Sequence, residues 1–157
     1  MNKSLIKVKD NVRHISIIKK TAARICSTQV LYGAAFLESD IDLLIKSYMD
    51  NYLETVLIEL GIKKIDTDLF TSITKGVQKN KISIDDIISR HLSKDWSFSR
   101  LSETEKSVLR LATYELLFDK KFKKITIINE YISIVESFGG NPNFANGILE
   151  SISNKKL

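Results

Sequence analysis

With one cysteine in 157 residues, Cys26 has no partner for an internal disulfide, which points to a reducing compartment and a cytoplasmic protein. No run approaches the roughly 18 uninterrupted apolar residues of a membrane span. The first 20 residues mix Lys, Asp, Asn, Arg and His without the apolar core of a signal peptide. A Gly-rich phosphate loop, a His or Cys pair at ligand spacing and a nucleophile with a recognisable base are all missing, so neither an enzyme, a metal site nor a cofactor is expected. No segment alternates with period two long enough for a strand, which leaves an all-α fold. A chain of this length buries most of its apolar surface without staples and reads as one domain or two small subdomains.

What is present is positive charge, unevenly placed. Lys3, Lys7, Lys9, Arg13, Lys19, Lys20 and Arg24 stand against Asp10 alone in the first 24 residues, a net +6. The rest holds 17 basic residues and 18 acids and is close to neutral. Such an arm suits a polyanion, because each phosphate contact releases counterions; a solvated tail is the plainer reading. Residues 1–18 are therefore expected to be a basic, partly flexible extension, with Val12, Ile15, Ile17 and Ile18 able to dock as a short helix. Residues 19–157 form the body. Between Glu38 and Asp68 eight acids face three lysines, a surface unsuited to nucleic acid.

The best-specified element follows a connector carrying Trp96, Phe98 and Leu101. Ser102 and Glu105 form a capping box, and Val108, Leu109, Leu111, Ala112, Leu116 and Phe118 share one helical face at about 100° per residue. Glu115 lies in the middle of that face and needs a partner, Arg24 or Arg100. Earlier, residues 19–38 read as a helix with Ala22, Ile25, Cys26, Gln29, Val30, Gly33, Phe36 and Leu37 on one side, the small residues allowing close approach of a neighbour. Gln29 is expected in the core and Tyr32 at the edge. Residues 41–60 read as one helix stopped by Gly61, and 67–79 as another, whose Gly76 suggests tight packing. Ser83 with Asp86 resembles a second capping box, and His91 reads as a core-edge residue. Residues 126–138 are amphipathic, and Gly139-Gly140 ends that helix. Asn141 and Pro142, the chain's one proline, then supply an N-cap and N1 for the last helix. Gly147 inside it reads as a point of close backbone approach.

Five segments in order, Ala23 to Tyr32, Trp96 to Leu101, Leu109 to Leu116, Ile128-Asn129-Glu130 and Phe144 to Leu149, resemble the successive motifs of the NusB transcription-antitermination family. The resemblance spans residues 20–153 and implies a compact bundle of about seven helices in two subdomains. It further implies binding of single-stranded boxA-type RNA from ribosomal RNA operon leaders, jointly with the ribosomal protein NusE, on RNA polymerase with other Nus factors. Single strands are read by aromatic stacking and basic side chains. The RNA candidates are Lys19, Lys20, Arg24, Lys106 and Arg110, with Phe144 and Asn146 from the family's Phe-x-Asn-Gly motif. Tyr32, Glu105 and Phe144 are implied near the NusE surface. Phe144 fits a core position equally well, since it repeats with Ile148 and Ile152.

The sequence also departs from the family pattern. Lys20-Thr21-Ala22 stands where the family commonly has clustered arginines, Asn143 replaces the usual basic residue before the phenylalanine, and Glu136 a common lysine. Two other readings remain: a stand-alone RNA-binding module related to the N-terminal domain of ribosomal RNA cytosine methyltransferases, and a helical adaptor that binds no RNA.

Overall fold

The computed structural model describes residues 3–154, with side chains from residue 18 onward. Docking by Val12, Ile15 and Ile17 falls outside what it describes, but the expected helix start near residue 19 is corrected: the backbone is helical from Lys3, in one run with the rest of the first helix. Among the described residues the fold is all-helical, with no strand: α1 (Lys3–Ala34), α2 (Ile41–Asn51), α3 (Leu53–Leu60), α4 (Thr67–Lys79), α5 (Lys81–His91), α6 (Glu103–Thr113), α7 (Lys124–Ser137) and α8 (Pro142–Ser153). A short 3₁₀ turn at Phe98–Arg100 precedes α6, and a π-helical turn at Tyr114–Asp119 continues it. No helix among the described residues is long and apolar enough to cross a membrane.

The first helix packs chiefly on α4 and α6, so it joins an amino-terminal group, α2 to α4, to a carboxy-terminal group, α5 to α8. Its contact stripe is built from small residues: Ala22, Ala23 and Cys26 are fully buried, which lets neighbouring backbones come near. Two hydroxyls close this seam. Ser27 and Thr74 lie 2.8 Å apart, and both donate to the Phe70 carbonyl, at 3.3 and 2.6 Å, so neither of these two hydroxyls is stranded where burial would penalise it. Gly76 fulfils the expectation of tight packing, because a Cβ there would lie 2.1 Å from the Tyr114 ring.

Several boundaries follow local chemistry. Ser102 and Glu105 make the capping box in both directions, at 3.1 and 3.2 Å. Asn141 caps α8 through the amides of Asn143 and Phe144, with Pro142 at N1. Gly61 ends α3 in the left-handed conformation, at φ 67°. The bounds of α4 match the expected 67–79.

Other expectations are corrected. The single helix over 41–60 is two helices, broken at Tyr52 (φ −121°, ψ −28°), whose ring is exposed and stacks on Tyr48. The fifth helix starts at Lys81, before Ser83, so Ser83 caps nothing; Asp86 instead pairs with Arg90 one turn on, at 2.6 Å. Phe36 and Leu37 lie beyond the end of α1 and are exposed, as is Phe118. A Cβ on Gly33 or Gly147 would meet nothing within 4 Å, so neither marks a close approach. The π turn was not anticipated. Its wider winding, with the Lys120 amide donating to the Glu115 carbonyl five residues back at 3.1 Å, lets Glu115, Leu116 and Leu117 all be buried in succession.

Candidate nucleic-acid interface

At the junction of α1, the π turn and α7 sits a buried ionic group. Arg24 donates through Nε and Nη2 to the two Glu115 oxygens at 2.8 and 3.0 Å. Tyr131 donates its hydroxyl to Glu115 as well, and Arg24 Nη1 lies 3.5 Å from Glu130. Thr21 donates to Glu130 at 2.9 Å. Burial would lower the affinity of Arg24 for its proton, but the hydrogen bonds and charge of Glu115 outweigh it and hold the guanidinium above its ordinary value. Burial, reinforced by the Glu115 charge, pushes the Tyr131 hydroxyl well up. Glu115 thus finds the partner expected for it, and that partner is Arg24, not the exposed Arg100.

This geometry corrects the reading of Arg24 as a phosphate ligand, since its guanidinium is 1 % exposed and consumed by carboxylates. Arg110 is corrected in the same way. It lies in the core, bidentate to Asp85 at 2.7 and 3.0 Å, with its guanidinium 5.4 Å from the centre of the Phe98 ring. Lys106 covers the same ring at 5.2 Å and sits 3.1 Å from Glu103. The helical period puts both on the side of α6 away from its apolar face, and the 3₁₀ turn folds Phe98 over that side. Gln29, expected in the core, is exposed, and its side-chain oxygen accepts from the Tyr48 hydroxyl.

The remaining candidates lie at or near the surface. Lys19 and Lys20 are half-buried where α1 meets the loop before α4: the Asp66 amide donates to the Lys19 carbonyl at 3.2 Å, and Lys20 Nζ lies 3.8 Å from the Asp66 carboxylate. Glu105 and Phe144 are brought together, lining one shallow cleft with Leu109, Val135, Asn141 and Ala145. Phe144 is half-buried and carries Trp96 on its outer side, with ring centres 5.4 Å apart. Its two readings, core and surface, are therefore both partly met. Asn146 follows on α8, half-buried, without a hydrogen-bond partner for its side chain among the described residues. Tyr32 is exposed near the end of α1 and packs on Phe36 at 5.2 Å, with no contact to the Glu105 cleft among those described.

Trp96, Phe98 and Phe122 were not singled out as site residues. Their signal was present: aromatics within short polar or basic connectors that no helical stripe claims. Trp96 is exposed beside Phe144, Phe98 lies under two cations, and Phe122 has the Arg24 guanidinium 5.0 Å above its ring. Among the described residues, no group of three or more His, Cys, Asp or Glu is placed to hold a metal ion.

Fold and surface together define an all-α protein that presents clefts, aromatics and lysines on a helical frame. The sequence model of the NusB family matches residues 21–154. A transcription antitermination protein NusB from Sulfurimonas denitrificans is 38 % identical over 107 residues, covering 67 % of this chain and 80 % of that protein. A solved structure of NusB from T. maritima superposes with a TM-score of 0.63 at 33 % identity, over 87 % of this chain and 91 % of that one. A crystal structure of the antitermination factors NusB and NusE in complex with dsRNA matches with a TM-score of 0.67 at 26 % identity, over 86 % of this chain and 96 % of its counterpart. The chain belongs to the NusB family, which makes it a transcription antitermination protein and not an enzyme.

Proposed function

We propose that this chain acts in antitermination by binding RNA jointly with NusE, and that its RNA is a boxA-type single strand from a ribosomal RNA operon leader. The observation that carries the reading is the cleft shared by Glu105 and Phe144 beside an exposed Trp96, a carboxylate and aromatic anchor set of the kind that dominates small interfaces. A related NusB in complex with NusE and RNA supports the pairing of partners. In this reading Glu105, Phe144 and Tyr32 face NusE. Lys19 and Lys20 hold phosphates, Lys106 joins them only by giving up its pairing with Glu103, and Phe144 and Asn146 reach the RNA at the joint surface. Residues 1–18 add charge to that track as a basic extension whose backbone from Lys3 continues into the rest of α1, and residues 19–157 are the binding domain. The joint complex then assembles on RNA polymerase with other Nus factors, in the cytoplasm.

The test is a titration of the full chain, with and without NusE, against a boxA-like single strand and a duplex of the same sequence. The expected result is tighter binding of the single strand, increased by NusE. Glu105→Lys and Tyr32→Asp should each lower NusE affinity by about tenfold or more while circular dichroism stays helical. Unchanged NusE affinity in both folded variants would remove this interface. Absence of RNA binding with and without NusE would favour the adaptor reading.

A further inference from the structure

Beside the Arg24 junction, which it meets at Phe122, lies a cleft of about 480 Å³ lined by Leu116, Leu117, Lys120, Phe122, Lys123, Lys124 and Ser153. Its volume falls in the range of about 300–1,000 Å³ typical of small-ligand sites. The floor is apolar, formed by Leu116, Leu117 and the half-buried Phe122. The rim is basic and held in place. Lys120 adopts a left-handed backbone (φ 55°), and its amide is tied to Glu115. Lys124 Nζ donates to the Ser153 carbonyl at 2.6 Å, closing the side toward α8. Lys120 and Lys123 are exposed and have no ion-pair partner among the described residues.

Two amines with no ion-pair partner among the described residues, above an apolar floor with an aromatic edge, match the two halves of a nucleotide: phosphate for the lysines, base for the floor. An acidic peptide would answer the charge only with an apolar side chain placed beside its carboxylates, whereas every nucleotide carries phosphate and a flat base at a fixed spacing. One contact ties the cleft to the first helix, on which Lys20 has been assigned to phosphate. Arg24 stands one helical turn after Lys20 on α1 and lies over Phe122, so Lys20 and the cleft belong to the same end of the molecule. Resting on the RNA-binding reading above, we propose that this cleft is a nucleotide pocket extending the RNA track, in which Lys120 and Lys123 hold backbone phosphate and one base lies against Phe122, Leu116 and Leu117.

The experiment compares the full chain with its Lys120→Gln/Lys123→Gln variant on a boxA-like single strand across a salt series. A single abasic residue is also moved along the strand. Both lysines are exposed, so the variant should stay folded, as circular dichroism will check. Losing two phosphate contacts should make the slope of log affinity against log salt shallower by about 1.4, at about 0.7 per contact on single strands. One abasic position should weaken the wild-type chain while leaving the variant little changed. A wild-type slope in the folded variant, alongside a reduced slope in Lys19→Gln/Lys20→Gln, would overturn the pocket and leave RNA binding standing. A reduced slope without any sensitive abasic position would overturn base binding. If the wild-type chain binds no RNA, alone or with NusE, both proposals fall together. Tighter binding to polyglutamate than to RNA would assign the cleft to an acidic protein.

Discussion

Arg24 and Lys20 stand one turn apart on the same helix and look alike in a charge count, yet they belong to two different regions. Arg24 is closed into the junction with Glu115, Tyr131 and Glu130, whereas Lys20, with Lys19, sits at the rim of the body. The lesson is that a basic stretch divides by burial, not by sign. Inside, charge is held by fixed hydrogen bonds, and removing one partner strands the other. At the rim, charge is screened by solvent and salt, and its effect appears when a polyanion arrives. Arg110 repeats the contrast on α6. It is paired with Asp85, while Lys106 on the same helix is less deeply enclosed.

The sharpest way to break this comparison is Glu115→Ala. It leaves Arg24 charged and buried with only the more distant Glu130, and Tyr131 without its acceptor. Urea denaturation should show a loss of about 3–5 kcal/mol. A loss below about 1 kcal/mol would mean that the junction is not the structural region it looks like.

A smaller effect is expected on the opposite face of the π turn. Gly76→Ala drives a methyl group into Tyr114 and should cost about 1–3 kcal/mol by overpacking. In a Tyr114→Leu background the cost should fall by half or more, a coupling that a double-mutant cycle reads directly.

The pH dependence sharpens the comparison further. Burial raises the Cys26 thiol from its ordinary value of 9.0, and burial with the Glu115 charge raises the Tyr131 hydroxyl from 10.0. Both groups are neutral in the folded chain and ionise first in the unfolded one. Their contribution is therefore fully present below pH 9 and is lost as pH rises toward the folded values. Stability should decline above pH 9 by up to about 1.4 kcal/mol per pH unit for each such group, and Cys26→Ser should delay the onset toward pH 10. A flat profile to pH 11 would contradict the burial argument.

The smallest effect on folding belongs to the rim. Lys19→Gln/Lys20→Gln should change stability by less than about 1 kcal/mol, since the Lys20 to Asp66 pair is partly exposed. The same variant should make the RNA salt slope shallower by about 0.7 per lost contact. A large loss of stability with an unchanged slope would reverse the roles assigned to the two regions.

Much of the fold was legible because its signals are local. Ser102 and Glu105 satisfy backbone donors three residues apart, Asn141 and Pro142 start a helix by their own conformational preferences, and Gly61 ends one because it tolerates positive φ. The same holds for Glu115, whose place on an apolar face demanded a cation. The break at Tyr52 was not legible, as no proline or glycine marks it. Ser83 and Asp86 had the spacing of a cap but lay inside a helix whose start is set two residues earlier. In the candidate site, the resemblance implied Glu105, Phe144 and Tyr32 at one surface; the structure brings Glu105 and Phe144 into one cleft and leaves Tyr32 outside it, a separation that no local signal shows.

By itself the sequence determined the all-helical class, most of the helices, those of their ends that carry a cap or a glycine, most of the apolar stripes and the concentration of positive charge near the amino terminus. Each of these depends on residues within a few turns of one another. Tertiary structure alone decided which charges stay available. Glu115 lies 91 residues beyond Arg24, and Arg110 lies 25 beyond Asp85; periodicity carries no information over such separations. The same packing that neutralised those arginines left Lys120 and Lys123 around an apolar cleft, because the π turn buries Leu116 and Leu117 and turns the lysines outward at its end.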